Sequence, residues 1–102
     1  MQLHLFDDVT DFINTLPEDV AGKIVSSLKS LELNETKGLT IKTLKGKIKE
    51  IIVKQYRLVF FILGETIYIV DGFKKQSQKT PKRMIEKTEY IYKKINENYE
   101  KQ

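Results

Sequence analysis

The chain has no cysteine, and its only histidine is His4. Without thiolates it can form neither a disulfide framework nor a cysteine-ligated zinc site, and one histidine cannot supply the common metal-binding clusters. A Ser-His-Asp triad is not expected around His4, and the chain contains neither a Gly-x-Ser-x-Gly motif nor a glycine-rich phosphate loop. We therefore expect no metal and no cofactor. Acid–base chemistry would have to come from lysine, arginine, glutamate or tyrosine.

Long hydrophobic runs are also missing. The longest uninterrupted apolar run, residues 58–63, is six residues long, whereas a membrane-spanning helix needs about 20. The first residues, M-Q-L-H-L-F-D-D, lack the basic and apolar regions of a signal peptide. With 40% hydrophobic and 31% charged residues, the 102-residue chain has the composition and length of one globular domain. We predict a single domain, residues 1–102, located in the cytoplasm and not in a membrane.

The net charge of +4 is unevenly distributed along the chain. Residues 1–36 contain two basic against seven acidic residues, a net charge of −5, whereas residues 37–102 contain sixteen against seven, a net charge of +9. This asymmetry favours a basic working face that binds a polyanion such as nucleic acid. The alternative is that the lysines only solubilise the strands and a helix.

Apolar residues recur at helical spacing in two segments of the first third of the chain. The stripes comprise Val9, Phe12, Ile13 and Leu16 in the first segment, and Ala21, Ile24, Leu28 and Leu31 in the second. Asp7 or Asp8 is expected to cap the first helix. Thr15 and Glu18 are expected to form a capping box around Pro17 at the start of the second. We predict that the two helices pack together on one side of a sheet.

The remaining pattern predicts strands and a last helix. Predicted strands cover residues 3–6, 39–44, 48–53, 56–63 and 66–70. Two-residue connections at 54–55 and 64–65 join the last three strands into an antiparallel meander. Apolar residues at helical spacing after Thr80-Pro81 predict a carboxy-terminal helix. The expected fold class is α+β, with two amino-terminal helices on a curved antiparallel sheet and a carboxy-terminal helix.

Residues 71–83, D-G-F-K-K-Q-S-Q-K-T-P-K-R, form the most basic segment of the chain. Five of the thirteen are basic, one is acidic and one is aromatic. The sequence predicts a cationic loop between the last strand and the last helix. Because both flanking elements would restrict its backbone, such a loop is suited to bind the phosphates of a nucleic acid.

Arg57 opens the central predicted strand among apolar residues, where an arginine needs an anionic partner. That partner is either a phosphate or Glu50 across the hairpin, and both interpretations remain open. Strand alternation places Lys45, Lys47 and Lys49 on one side of an extended segment, which suits contact with a polyanion. A solvated edge strand would show the same pattern.

These residue types suit one reaction class, the metal-independent cleavage of RNA by its own 2′-hydroxyl group. The substrate supplies the nucleophile, so the protein has only to orient the phosphate, stabilise its added charge and move protons. Arginine and lysine perform the first two tasks through charge-assisted hydrogen bonds. A lysine among other cations has a lowered pKa and can act as an acid or a base. The 2′-hydroxyl would restrict the enzyme to RNA.

Four motifs together resemble the RelE/ParE superfamily of type II toxins, and specifically its HigB-like, phage-derived branch. They are Leu16-Pro17, the L-x-G-x-I-x-E-I stretch at 44–51, Tyr56-Arg57, and G-F-K-K-Q-S-Q-K-T-P at 72–81. The last of these is the most specific. The resemblance extends over nearly the whole chain.

The resemblance implies a small α/β toxin that cleaves messenger RNA in the ribosomal A site and is neutralised by an antitoxin, usually one with a helix-turn-helix domain. It implies that Arg57 contacts the scissile phosphate, and that Lys74, Lys75 and Lys79 are the basic positions of the site. Glu50 completes the predicted catalytic set. The predicted RNA-binding residues are Lys45, Lys47, Lys49, Phe73, Gln78, Lys82 and Arg83.

Two positions depart from the family pattern. Ile52 stands where the family usually has an arginine, and Asp71 stands where it usually has a histidine. Two alternatives therefore accompany the RNase interpretation. One is a ParE-like inhibitor that binds a protein such as gyrase, which the lysine-rich segment 74–83 disfavours. The other is a nucleic-acid-binding module without catalytic activity, which Ile52 and Asp71 favour.

Overall fold

A computed structural model of the protein describes residues 1–76 and 79–100. Its elements follow in the order β1 (Gln2–Leu5), α1 (Asp7–Asn14), α2 (Glu18–Glu32), β2 (Thr40–Lys45), β3 (Ile48–Val53), β4 (Tyr56–Leu63), β5 (Thr66–Lys74) and α3 (Lys82–Glu100). The predicted α+β class is confirmed. Within the described ranges, no helix has the length and apolar character needed to cross a membrane.

The five strands form one sheet in the order β1-β5-β4-β3-β2. Strands β2 to β5 pair antiparallel, as the predicted meander requires, and β1 pairs parallel to β5 at one edge. The sheet therefore differs from the predicted antiparallel sheet in one strand, the parallel edge strand β1. The parallel pairing arises because α1 and α2 lie in the connection between β1 and the meander, and a long connection permits it.

The two faces of the sheet bury separate cores. On one face, α1 and α2 pack through Val9, Ile24 and Leu28 against Leu58 and other apolar residues of the sheet. On the other face, α3 packs against side chains such as Val59, Phe61 and Val70. Alternate residues of β4 pack in the two cores, which explains why both the odd-numbered and the even-numbered positions of this strand carry apolar residues.

A β-bulge in β5 decides which residues of the motif at 72–81 face α3. Phe60 pairs with Ile69 and Val59 pairs with Asp71, so Val70 is the extra residue. In a regular strand, successive side chains point to opposite faces of the sheet. At the bulge, Val70 and Asp71 both point to the α3 face, since Val70 packs in the α3 core and Asp71 is hydrogen-bonded to Lys87 of α3. Asp71 and Phe73 therefore lie on the α3 face, whereas Gly72 lies against Phe12 of α1.

The predicted caps of the first two helices are wrong. The N-cap of α1 is Phe6, whose N–H continues the strand ladder by donating to the carbonyl of Ile69, and this places Asp7 and Asp8 inside the first turn. The predicted capping box also does not form. Thr15 Oγ1 donates back to the carbonyl of Phe12 at 2.7 Å, and Pro17 is the N-cap of α2.

Candidate nucleic-acid-binding site

A cavity of about 210 Å³ lies on the α3 face of the sheet, between β2, β3 and the segment that leads into α3. We call it the Glu50 cavity. Its lining residues are Lys42, Thr43, Leu44, Glu50, Lys75, Lys79, Thr80 and Ile85. It brings together three of the predicted catalytic residues, Glu50, Lys75 and Lys79, and adds Lys42 as a third cation.

The carboxylate of Glu50 is almost completely buried, with 2% of the residue exposed. Thr80 Oγ1 donates a hydrogen bond to Glu50 Oε1 over 2.5 Å, and this bond ties the segment before α3 to the middle of β3. Arg57 Nε lies 3.8 Å from Glu50 Oε2. A buried carboxylate in a lysine-lined cavity is suited to accept a proton or to hold lysine ammonium groups in place.

Arg57 lies behind this carboxylate instead of lining the cavity. Only 8% of the residue is exposed. Its Nη1 donates to the carbonyls of Lys54 and Tyr56 at 2.7 and 3.0 Å, and its buried Nε has no hydrogen-bond partner. Of the two partners considered for Arg57, the structure contains the Glu50 ion pair. Contact with a phosphate stays a prediction.

A second cavity, of about 320 Å³, adjoins the first. We call it the Phe73 cavity, and it is lined by Phe73, Lys74, Gln76, Lys79, Pro81 and Arg83. Lys79 lines both cavities. The predicted loop at 71–83 begins too early, because Asp71 to Lys74 belong to β5. Their ladder with β4 continues the sheet and fixes Phe73 opposite Arg57.

The predicted row of lysines at 45, 47 and 49 is wrong. Gly46, with φ of +54°, and Lys47 form the turn between β2 and β3, so the segment is a hairpin and not one extended strand. Lys45 points to α3, where its Nζ lies 3.2 Å from Glu89 Oε1. Lys49 lines a different cavity, on the α2 side of the sheet. Lys45 and Lys49 thus face opposite sides of the sheet, and Lys47 lies in the turn between their strands.

The other predicted RNA-binding residues fall into three groups. Phe73 and Arg83 line the Phe73 cavity. Lys82 is exposed at the start of α3 and pairs with Glu86 at 3.8 Å. Gln78 lies outside the described residues. A role in binding RNA remains a prediction for each of them.

Asp71, which replaces a histidine of the family pattern, is neutralised by Lys87 of α3. Lys87 Nζ lies 2.8 Å from Asp71 Oδ2 and 2.5 Å from Asp8 Oδ2, and Asp71 Oδ1 accepts the N–H of Gly72. Burial on its own would lower the pKa of Lys87, but hydrogen bonds with Asp71 and Asp8 raise it above its ordinary value of 10.5. The ammonium group of Lys87 therefore joins β5, α1 and α3, and Asp71 does not place an uncompensated charge at the site.

We expect the stabilisation from Lys87 to disappear in alkaline solution. A lysine whose pKa is raised by folding stabilises the native state fully below its unfolded-state pKa, and this contribution is lost as the pH rises through the folded-state value, above 10.5. Lys87→Met should therefore lower the melting temperature at neutral pH, by an amount that shrinks at about pH 11. Thermal unfolding of both proteins over this range is the measurement, and the exposed Lys93→Met is the control. A difference in melting temperature that is independent of pH would contradict the expectation.

Sequence reasoning missed Lys42 and Thr80 as parts of the site. The register between β2 and β3 shifts between Thr43 and Lys45, and this irregularity places Lys42 opposite Glu50. Counting back from the Gly46-Lys47 turn along a regular hairpin places Thr43 opposite Glu50. Lys42 could have been identified only if the bulge had been included in the count. Thr80 was read only as part of the motif, since nothing local indicates a bond over thirty residues.

In the part of the chain that the structure describes, no group of three or more His, Asp or Glu side chains is arranged to hold a metal ion.

The chain is similar to one protein family in sequence and to several solved structures in fold. Residues 11–93 match the family described as phage derived protein Gp49-like. A search of curated proteins gives no match. A chain of the archaeal RelE–RelB complex from Pyrococcus horikoshii OT3 superposes with a TM-score of 0.66 at 14% identity, over 76% of this chain and 97% of that one.

Two further structures show the same fold. The RelB–RelE antitoxin–toxin complex from Methanococcus jannaschii matches with a TM-score of 0.61 at 17% identity, over 70% of this chain and 88% of that one. The isolated E. coli RelE toxin matches with a TM-score of 0.59 at 14% identity, over 88% of this chain and 97% of that one. The predicted superfamily and fold are confirmed: the chain belongs to the Gp49-like phage-derived family and has the fold of the RelE toxins.

Proposed function

We propose that the protein is the toxin of a type II toxin–antitoxin pair, and that it cleaves messenger RNA on the ribosome. The observation that carries this proposal is the Glu50 cavity, in which a buried carboxylate lies among Lys42, Lys75 and Lys79. Cations that converge on a concave surface bind a phosphate and stabilise the charge that it gains in the transition state. The carboxylate adds a proton acceptor.

The proposed reaction needs no nucleophile from the protein. The 2′-oxygen of the substrate attacks the adjacent phosphorus, and Glu50 takes the proton of the 2′-hydroxyl group. The bond from phosphorus to the 5′-oxygen breaks, and the ammonium group of Lys75 or Lys79 gives a proton to that leaving oxygen. The products are a 2′,3′-cyclic phosphate and a free 5′-hydroxyl. Arg57 is a positioning residue in this scheme, since it contacts Glu50 from behind.

We further propose an antitoxin as the partner that keeps the protein inactive. Two of the matched structures are complexes of RelE with RelB, and this likeness in fold supports a partner of the same kind. A helix-turn-helix antitoxin, the ribosome and messenger RNA are the proposed partners, and the cytoplasm is the proposed location. A small reading frame for a helix-turn-helix protein beside this gene would support the pairing.

Induced expression followed by mapping of RNA 5′ ends tests this function. We expect new 5′ ends within translated codons in cells that express the wild-type chain, fewer in cells that express Lys75→Ala, and none above background with Glu50→Gln. The exposed Lys93→Ala should resemble wild type, because Lys93 lines neither cavity. Each variant is compared at equal protein abundance.

Two results would contradict the nuclease. Intact messages together with altered DNA supercoiling would indicate a ParE-like inhibitor of gyrase. Intact messages together with RNA binding by the purified chain would indicate a module that binds without cleaving. The second alternative is the one that the position of Arg57 favours, because its Nη1 is bonded to backbone carbonyls and its Nε lies beside Glu50.

A further inference from the structure

We propose that the Phe73 cavity is a nucleoside subsite, so that the protein holds single-stranded RNA as at least a dinucleotide across Lys79. One nucleoside occupies the Phe73 cavity, the connecting phosphate lies at Lys79, and the Glu50 cavity holds the reacting ribose. This inference rests on the proposed function, because it adds a specificity subsite to the same catalytic centre.

The two cavities form one site because they share a wall. Lys79 lines both of them, so a ligand that extends from one cavity to the other must pass this residue. Their remaining lining residues differ in chemistry. The Glu50 cavity has the buried carboxylate and Thr80, whereas the Phe73 cavity has an aromatic ring, a proline and an amide. Proton transfer suits the first, and contact with a nucleobase suits the second.

The chemistry of the Phe73 cavity matches a nucleoside. Phe73 and Pro81 provide apolar surface for a planar base, and Gln76 has both a donor and an acceptor for the edge of that base. Lys74 and Arg83 provide charge for a sugar–phosphate backbone. The volume of about 320 Å³ is near the lower end of the range of about 300–1,000 Å³ for small-ligand pockets. A single unstacked nucleoside suits it and a duplex does not.

Three of the six lining residues lie in regular structure, Phe73 and Lys74 in β5 and Arg83 in α3. Phe73 pairs with Arg57 in the ladder between β5 and β4, and its ring packs against the α3 core. Arg83 lies in the first turn of α3. This helix packs on the sheet through Met84, and within the helix the hydroxyl of Thr88 donates to the carbonyl of Met84. Residues that are already held in place by a strand or a helix lose less free energy in ordering themselves around a ligand.

Titrations followed by NMR test the subsite on the full chain. The probes are the four 2′-O-methylated homodinucleotides ApA, CpC, GpG and UpU, which cannot be cleaved at the blocked 2′-oxygen, and inorganic phosphate. We expect one or more dinucleotides to bind more tightly than phosphate. Gln76→Ala and Arg83→Ala should each weaken the tightest dinucleotide by about tenfold or less, and Phe73→Leu by about tenfold or more. Affinity for phosphate should not change in Gln76→Ala or Phe73→Leu.

Lys93→Ala is the matched control for Arg83→Ala, because both side chains are exposed cations on α3. Since Phe73 also packs in a core, the melting temperature of Phe73→Leu must be measured, and the two surface variants keep the test valid if this one is unstable. The subsite is overturned if dinucleotides bind no more tightly than phosphate, or if none of the three substitutions alters their affinity.

The outcome separates the subsite from the nuclease. If the wild-type chain cleaves messenger RNA and the three substitutions change neither dinucleotide affinity nor the sequences cleaved, the subsite alone is wrong. If dinucleotides bind in a manner that depends on Gln76 and Arg83 but no message is cleaved, the subsite stands and the proposed cleavage is wrong.

Discussion

Glu50→Gln is expected to reduce the rate of RNA cleavage by about 10²–10⁴-fold, the range for loss of a general base. The substitution keeps the size of the side chain and leaves an amide oxygen that can accept the hydrogen bond from Thr80. It removes the group that takes the proton of the 2′-hydroxyl. RNA affinity should be unchanged or higher, because the variant removes a negative charge from a site that binds phosphate.

The measurement is single-turnover cleavage of ribosome-bound message, with RNA affinity measured separately. Glu89→Gln is the matched control, since Glu89 pairs with Lys45 away from the cavities. A rate for Glu50→Gln within a few-fold of wild type would show that Glu50 is not the base.

A loss of rate could also come from structural damage, because Glu50 lies beside Arg57. Removing one partner of a buried ion pair leaves the other without compensation and is destabilising. The melting temperature of Glu50→Gln therefore has to be measured with the rate. A folded variant that binds RNA with wild-type affinity and does not cleave it assigns the loss to chemistry.

Gly72→Ala is expected to destabilise the fold by about 1–3 kcal/mol, the usual cost of overpacking. A Cβ atom at this position would lie 2.4 Å from Phe12 Cδ2 and 2.8 Å from Leu58 Cδ2. The glycine of the family motif is thus required for the close approach of α1 to β5. The measurement is chemical denaturation of the variant and of wild type.

Two further variants make this prediction specific. Gly22 lies on an exposed part of α2 with no atom near the position of a Cβ, so Gly22→Ala should stabilise the protein by about 0.5–1 kcal/mol through helix propensity. Phe12→Leu should cost less in the Gly72→Ala background than in wild type, because the smaller side chain relieves the clash. Additive effects of the Gly72 and Phe12 substitutions would contradict the proposed contact.

Local sequence patterns were sufficient to predict the boundaries of β3 and β4. Apolar residues of high strand propensity fill both segments, and a two-residue connection at 54–55 separates them, so few other arrangements were possible. The end of β5 was not predictable in this way. Asp71, Gly72 and Lys74 have little strand propensity, and they extend β5 only because the ladder with β4 continues.

The composition of the site was predictable, but its arrangement was not. Lys75 and Lys79 were recognised from the motif, and both line the Glu50 cavity. The expected row at Lys45, Lys47 and Lys49 failed because a turn at Gly46 reversed the chain. Alternation predicts the direction of a side chain only while a strand continues without a turn or a bulge.

The amino-acid sequence by itself determined the family, the α+β class, the basic character of the second half, and the residue types available for chemistry, because periodicity, motifs and charge are local properties. The tertiary structure alone decided which of those residues meet. Irregularities in β2 and β5 placed Lys42 opposite Glu50 and turned Asp71 towards Lys87. Each depends on pairing between strands, and side-chain direction in a sheet follows from the partner strand as much as from the chain itself.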